Sequence, residues 1–376
     1  MVSKDWVSWP KPALHLSDVS ESRLRHAVQL GAVGINVQGA AMGPAGTLEI
    51  LARPETPDPA PDFERLRRTV EAHGLEVLCL QLPAQATNGV LTGGARRARE
   101  IAHLTAVIRG AGKVGIPTVF FNLTPWRSTP TWWHGNPGVP EVQPEDVRHG
   151  SGPGRYYRPA GRGGAVLNTH ETRRVAADEE RTPPETLAPY GEIDAQTLWD
   201  RVRYLYERIV PVAEAAGVNI GAHPNDPPEP RFRGVEQIHR TPEGLQQLID
   251  LVPSERSGLL LCIGTLHEMG TGAPDTMRAL ESFLTQKRVF GTHFRNPKGT
   301  VPDGYYQEDF LDEGDLDMLE VVRVMRKHGY TGGMDPDHAQ GIEGDEGARE
   351  AWAWQLGYIR ALVRAVRSEE GAAPLW

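Results

Sequence analysis

The chain has 376 residues, and its 40 basic and 49 acidic side chains give a net charge of −9 at pH 7. It shows no dense basic cluster, which argues against nucleic acid as the main partner. No run approaches the ~18 consecutive apolar residues of a membrane span, so no membrane partner is expected. The N-terminus lacks the apolar core of a signal peptide, and we expect a cytoplasmic protein. The two cysteines, Cys79 and Cys262, form no disulfide framework and are free to bind metal.

Short β-rich runs alternate with amphipathic helical segments along the chain. The predicted strands cover residues 13–16, 33–37, 75–80, 118–122, 218–222, 258–262, 289–293 and 332–335. The predicted helices cover residues 20–30, 61–73, 96–113, 197–216, 242–251, 275–286, 316–328 and 348–367. Eight strands separated by helices predict a single α/β domain over residues 1–376, a (β/α)8 TIM barrel. An open doubly wound sheet is the alternative, but residues 39–43 lack the spacing of a phosphate-binding glycine turn.

The longest irregular stretch, residues 124–193, follows the fourth predicted strand and is rich in proline, glycine and tryptophan. A structureless loop of this length inside a compact domain is usually functional or disordered. An insertion after a barrel strand emerges at the C-terminal face, where barrel active sites lie. We therefore expect a cover for the active site or an arm that contacts another subunit. A flexible insertion is the alternative.

Side chains that bind metals stand at the C-terminal ends of four successive predicted strands. They are His223, Cys262, His293 and Asp337. A single strand-end histidine or buried cysteine is weak evidence, because such residues are often structural. Four on adjacent strands converge on one barrel mouth, and their imidazole, thiolate and carboxylate groups suit a divalent transition metal. Zn²⁺ and Fe²⁺ fit these ligands as well as Mn²⁺ does.

Two residues next to the predicted ligands could carry the chemistry. Arg295 follows His293 by two positions and could bind a substrate carboxylate through paired hydrogen bonds, with a structural ion pair as the alternative. His338 follows Asp337 and could act as a general acid or base, with orientation of the metal ligand as the alternative. Glu308, in the loop after the seventh strand, is a further candidate base.

Other polar residues near the predicted mouth are weaker candidates for contact with substrate. Asn296 follows Arg295, and Asp226 belongs to the rigid proline-rich loop after His223. Asn122 ends the fourth strand and Arg127 follows shortly after, although structural turn roles are as plausible for both. Cys79 lies inside an apolar strand and is assigned to packing.

At the level of motifs, the chain resembles the mannonate dehydratase family, which comprises sugar-acid lyases with a xylose-isomerase-like barrel. The matching motifs are His-Pro-Asn-Asp-Pro-Pro at 223–228, Cys-Ile-Gly-Thr at 262–265, His-Phe-Arg-Asn at 293–296 and Pro-Asp-His at 336–338. The resemblance implies that His223, Cys262, His293 and Asp337 bind Mn²⁺ and that His338 transfers protons. It implies removal of water from a six-carbon aldonic acid, to give a 2-keto-3-deoxy acid.

Several positions depart from the family pattern. Gln307 and Leu311 stand where the family has histidines, Asp335 and Gln340 where it has arginines, and Trp352 where it has a tyrosine. We therefore expect a divergent member that acts on a small sugar acid or a related polyhydroxy substrate. A sugar isomerase or epimerase of the same barrel class is one alternative, and a binding protein that kept the metal but lost the chemistry is another. We also expect a homo-oligomer.

Overall fold

The computed structural model describes residues 4–38, 58–83, 85–125, 148–149, 155–181, 188, 190–232 and 234–372. The strands are β1 (Lys11–Leu16), β2 (Gly34–Gln38), β3 (Glu76–Gln81), β4 (Thr118–Asn122), β5 (Arg148–His149), β6 (Arg155–Pro159), β7 (Val166–Glu171), β8 (Asn219–His223), β9 (Arg231–Phe232), β10 (Val235–Glu236), β11 (Ser257–Cys262), β12 (Val289–His293), β13 (Asn296–Thr300), β14 (Tyr305–Asp309) and β15 (Gly333–Asp335). The α-helices are α1 (Glu21–Leu30), α2 (Ala60–Ala72), α3 (Asn88–Leu91), α4 (Arg97–Lys113), α5 (Thr172–Arg181), α6 (Ala195–Ala216), α7 (Pro242–Leu251), α8 (Ile263–Glu268), α9 (Ala273–Thr285), α10 (Met318–Lys327) and α11 (Arg349–Glu369).

Eight parallel strands close into a barrel in the order β1, β2, β3, β4, β8, β11, β12 and β15, with β15 pairing back onto β1. These are the eight strands that the sequence predicts, and each predicted end lies within a residue or two of the observed one. The predicted (β/α)8 barrel is therefore confirmed. No helix among the described residues is long and apolar enough to cross a membrane.

Strand register places the predicted ligands at one level of the barrel. His293 lies opposite Cys262 on the neighbouring strand, and His223 lies opposite Asn122. On its other side His293 pairs with Asp335, two residues before Asp337. Since all eight strands run in the same direction, this level is the C-terminal mouth of the barrel.

The barrel interior below the mouth is apolar and close-packed. Cys79, Phe120 and Leu260 form a buried cluster there, as the assignment of Cys79 to packing predicts. A Cβ atom on Gly221 or Gly291 would lie 2.7 Å from the Phe120 ring, so both positions must be glycine for that ring to fit. The packed interior separates the mouth from a cavity of about 470 Å³ at the N-terminal end of the barrel, whose lining includes the Lys11–Glu76 ion pair.

A second, antiparallel sheet accompanies the barrel. Its strand order is β13, β14, β7, β6 and β5, and we call it the accessory sheet. The hairpin β13–β14 follows barrel strand β12, whereas β5, β6 and β7 belong to the insertion after β4. The expectation that residues 124–193 are irregular is wrong for residues 155–159 and 166–181, which form β6, β7 and α5. The outer edge of β7 is paired by β14, a strand more than a hundred residues further along the chain, while β6 pairs with β5 and β7.

Candidate metal centre and active site

Three of the predicted ligands converge at the barrel mouth. The ligand atoms of His223, Cys262 and His293 all lie within 4.8 Å of one another. His223 Nδ1 lies 2.7 Å from the Pro224 carbonyl oxygen, so Nδ1 carries the proton and Nε2 keeps its lone pair. That Nε2 atom lies 3.1 Å from His293 Nδ1. Two ring nitrogens at this separation can both reach one cation between them.

Asp337 adds a carboxylate to this cluster. Its Oδ2 lies 3.2 Å from His293 Nδ1. The residue has a φ of 63°, a left-handed conformation that aspartate tolerates better than most residues, and its N–H donates to Asp335 Oδ1 over 3.0 Å. Burial opposes its ionisation, but the charges of His293 and His338 outweigh burial and hold the pKa of Asp337 well below its usual range.

Cys262 is held in a form suited to metal binding. It is fully buried at the end of β11 and caps α8, where the Thr265 N–H donates to its Sγ over 3.3 Å. Burial opposes the thiolate, but the Arg295 guanidinium 2.8 Å away and the neighbouring His293 lower the pKa of Cys262. Two nitrogens, one sulfur and one oxygen fit a divalent transition metal, and the charge of the cation would favour the thiolate further.

Arg295 lies at the centre of a buried acidic cluster. Only 3% of its side chain is exposed. Its Nη1 lies 2.8 Å from Glu308 Oε1 and 3.3 Å from Glu268 Oε1, and its Nη2 lies 2.9 Å from Asp226 Oδ2. Together with Cys262 and Asp337, these acidic groups surround the guanidinium. The geometry therefore supports the ion-pair alternative for Arg295 rather than contact with a substrate carboxylate.

Replacing Arg295 with methionine is expected to destabilise the metal-free protein by about 3–5 kcal/mol, because breaking a buried ion pair leaves uncompensated charges. Urea unfolding measures this change. Arg25→Met is the matched control, since 60% of the Arg25 side chain is exposed and its i,i+4 pair with Glu21 adds little. Equal stabilities for the Arg295 variant and the wild type would contradict the proposed central role of this guanidinium.

His338 is the most open titratable group of the site. Its side chain is 33% exposed, compared with 4% for Glu308. Its Nδ1 bonds to Glu308 Oε2, and its Nε2 lies 3.4 Å from Asp337 Oδ2. Burial lowers the pKa of His338, but the Asp337 and Glu308 carboxylates outweigh burial and raise it to about 9. The imidazole is therefore doubly protonated at neutral pH, next to the candidate metal ligands.

The other predicted substrate contacts lie in different surroundings. Asn296 donates from Nδ2 to the carbonyl oxygens of Leu311 and Leu316 and accepts the Leu316 N–H, so its amide holds a loop instead of facing substrate. The Asp226 carboxylate is engaged with Arg295. Asn122 ends β4 beside His223, at the level of the site. Arg127 lies outside the described residues.

Sequence reasoning missed a group beneath the site. Asp335 accepts hydrogen bonds from Asn36 Nδ2 over 2.8 Å and from the Asp337 N–H, and its Oδ1 lies 3.0 Å from His15 Nδ1. The His15 ring also meets the Trp352 ring edge-on at 5.0 Å between centroids. Two departures from the family pattern, Asp335 and Trp352, thus contact the same histidine. His15 lies near the C-terminal end of β1, so the rule that found the ligands could have found it, whereas Asn36 lies in the middle of β2.

Glu268 is a further residue of the site that the sequence prediction does not include. It is fully buried at the end of α8, with Oε1 facing Arg295. Burial, aided by the charges of Asp226 and Glu308, raises the pKa of Glu268 well above its usual value despite the opposing effect of Arg295. Glu268 therefore belongs to the Arg295 cluster.

A parallel eight-stranded barrel with a histidine, cysteine and aspartate cluster at its C-terminal mouth defines a (β/α)8-barrel enzyme with a candidate metal centre. A family model of D-mannonate dehydratase (UxuA) matches residues 59–369. The chain belongs to the D-mannonate dehydratase family. The predicted resemblance is confirmed, and with it the predicted class of enzyme, a dehydratase of the carbon–oxygen lyases.

Individual relatives agree with this assignment. Mannonate dehydratase 2 of Halalkalibacterium halodurans is 27% identical over 287 residues, covering 75% of this chain and 79% of the relative. Mannonate dehydratase of Enterococcus faecalis is 27% identical over 335 residues, covering 82% and 87%.

Solved structures share the fold. The mannonate dehydratase from Streptococcus suis serotype 2 superposes with a TM-score of 0.71 at 21% identity, covering 98% of this chain and 96% of that one. A xylose isomerase-like TIM barrel protein from Mycobacterium smegmatis, crystallised in complex with magnesium, superposes with a TM-score of 0.54 at 14% identity, covering 97% and 99%. The predicted xylose-isomerase-like architecture is therefore confirmed.

Proposed function

We propose that this protein is a metal-dependent dehydratase that removes water from an aldonic acid and yields a 2-keto-3-deoxy acid. One observation carries the proposal: His338, protonated and partly open, stands beside the convergent side chains of His223, Cys262, His293 and Asp337. The names of the relatives make mannonate the first substrate to test.

Mn²⁺ is our first choice of metal on the family resemblance, and the donor set suits Fe²⁺ and Zn²⁺ as well. His223, Cys262, His293 and Asp337 would hold it. A divalent cation at this position would polarise the substrate carboxylate and acidify the proton on the adjacent carbon. A reducing compartment such as the cytoplasm would keep Cys262 available as a thiolate.

In the elimination, the C2–H bond breaks and its proton passes to solvent water, the C3–O bond breaks, and a C2=C3 double bond forms. We assign His338 as the acid that gives a proton to the departing C3 hydroxyl, which leaves as water. Nε2 is the nitrogen for this step, because Nδ1 is taken by Glu308. Glu308 itself receives hydrogen bonds from Asn168 and His338 and faces Arg295, so we assign it to hold His338 rather than to contact substrate. The enol product gains a proton at C3 to give the keto acid.

Removal of metal tests the proposal. Protein treated with a chelator is expected to form no keto acid from aldonic acids, and added Mn²⁺ is expected to restore turnover, because the metal would polarise the substrate carboxylate. The assay measures 2-keto-3-deoxy acid over a panel of aldonic acids, with untreated protein as the control. Absence of keto acid across the panel with Mn²⁺, Fe²⁺ or Zn²⁺ would contradict the dehydratase proposal.

We also propose that the chain is one domain in which the insertion, residues 124–193, covers the barrel mouth. The support comes from β7, whose Asn168 and His170 side chains are buried against residues of the mouth. A homo-oligomer remains a prediction, which light scattering of the purified protein checks.

A further inference from the structure

One face of the accessory sheet is buried against the barrel mouth. Strands β7 and β14 are antiparallel, with His170 opposite Tyr306, and alternation puts Asn168 and Glu308 on the same face as these two rings. The exposed fractions of all four residues are at most 4%. The His170 ring stacks on Tyr306, and its Nε2 lies 2.6 Å from Glu229 Oε1 in the loop that follows β8. Buried polar contacts thus connect the insertion to the barrel.

Asn168 reaches the pair formed by Glu308 and His338. Its Nδ2 donates to Glu308 Oε1 over 2.5 Å, and the same oxygen lies 2.8 Å from Arg295 Nη1. The other oxygen of Glu308 bonds to His338. Because both carboxylate oxygens are engaged, the direction of the Glu308 carboxylate, and with it the orientation of the His338 ring, depends on a residue of the insertion.

The second polar atom of the Asn168 amide is unsatisfied among the described residues. Its amide oxygen Oδ1 is buried and accepts no hydrogen bond from the part of the chain that the structure describes. Buried amide oxygens in folded proteins nearly always accept a hydrogen bond. A sugar acid carries a hydroxyl on each carbon of its chain, and a hydroxyl is a donor of the required kind.

We propose that Asn168 belongs to the active site, where its Nδ2 positions Glu308 for His338 and its Oδ1 accepts a hydrogen bond from a substrate hydroxyl. This inference rests on the proposed function, since it assigns a sugar acid as the ligand. It gives the insertion after β4 a direct part in the site, through a residue of β7.

Asn168→Ala is expected to lower kcat/KM for the best aldonic acid by at least about tenfold, the effect of losing one or two buried hydrogen bonds to charged or polar groups. Its Mn²⁺ affinity should stay at the wild-type value, because Asn168 contacts none of the four metal-binding side chains. Asn168→Ser keeps a small donor toward Glu308 and should recover part of the loss. It also serves as the test variant if the alanine form does not fold.

Thr169→Val is the matched control. Thr169 is the next residue of β7, is fully buried, and its side chain lies on the opposite face of the sheet. The substitution removes one hydrogen bond, which Thr169 Oγ1 donates to the Tyr156 carbonyl oxygen. Its kcat/KM should stay near the wild-type value. A wild-type kcat/KM for Asn168→Ala, or an equal loss for Thr169→Val, would overturn the inference.

A second measurement separates this inference from the proposed function. If the wild type converts no aldonic acid, the proposed function fails, and a double-mutant cycle on urea unfolding then decides the positioning role of Asn168. The unfolding free energies of Asn168→Ala and Glu308→Gln should be non-additive, because the two side chains share a hydrogen bond. Additive effects would overturn the role of Asn168 independently of any substrate.

Discussion

Replacing Cys262 with serine is expected to weaken Mn²⁺ binding by at least about 100-fold, since loss of an outer hydrogen-bond partner alone costs 10–100-fold. Serine keeps the size of the side chain but offers a neutral hydroxyl where the wild type offers a thiolate stabilised by Arg295 and His293. The guanidinium of Arg295 also loses a partner 2.8 Å away. Dehydratase turnover should fall with metal occupancy. Titration of the metal-free protein with Mn²⁺ measures the affinity.

A second probe reports the sulfur directly. Co²⁺ bound to the wild type should give a thiolate-to-metal charge-transfer band, and this band should be missing in Cys262→Ser. Cys79→Ala is the matched control, because Cys79 is buried among Phe120 and Leu260 in the barrel interior. This variant should lose stability but keep metal affinity. An unchanged Co²⁺ spectrum in Cys262→Ser would show that the sulfur does not bind the metal.

Replacing His338 with glutamine is expected to lower kcat by about 10²–10⁴-fold, the usual contribution of a positioned general acid or base. Metal affinity should change far less, because the four convergent ligands remain. Steady-state kinetics together with a Mn²⁺ titration separate these two effects. His73→Gln is the control, since His73 is only partly buried and follows the end of α2, outside the site. A turnover of His338→Gln close to that of the wild type would exclude His338 as the acid.

The protonation of His338 can be measured without substrate. In the metal-free protein its imidazole should keep its proton at pH 7 and lose it as the pH rises through about 9, above the ordinary 6.5. Glu308→Gln should lower the pKa of His338, because it removes one of the two negative charges that raise it. Carbon–nitrogen NMR of labelled histidine follows the titration. A pKa at or below 6.5 in the wild type would contradict the described geometry.

The barrel and the ligand cluster were predictable because they depend on local patterns. Each barrel strand is a short apolar run between two helices, and each ligand stands at the same end of its strand, so periodicity and position suffice. Asp337 follows the same rule although it lies two residues beyond β15. The accessory sheet was not predictable in this way. Strands β6 and β7 lie in a stretch rich in glycine and proline, and β7 pairs with β14 far along the chain.

The roles of individual polar residues depended on three-dimensional packing. Arg295 could have bound substrate or formed an ion pair on sequence grounds. It lies among Asp226, Glu268 and Glu308, which come from the loop after β8, the end of α8 and strand β14. This position supports the ion pair. Asn296 likewise carries a polar amide in a suggestive motif, yet its hydrogen bonds to Leu311 and Leu316 show a loop-holding role. No local pattern contains this information.

Incubating the Mn²⁺-loaded wild type with D-mannonate in D₂O, followed by proton and carbon NMR, tests the central claim most directly. The proposed elimination predicts a 2-keto-3-deoxy acid whose C3 methylene carries one deuterium from solvent, because the enol gains a proton at that carbon. Deuterium at C2 of a sugar acid that retains its C3 hydroxyl would instead indicate an epimerase or isomerase. That result, or the absence of any keto acid, would contradict the assignment of a dehydratase that acts on mannonate.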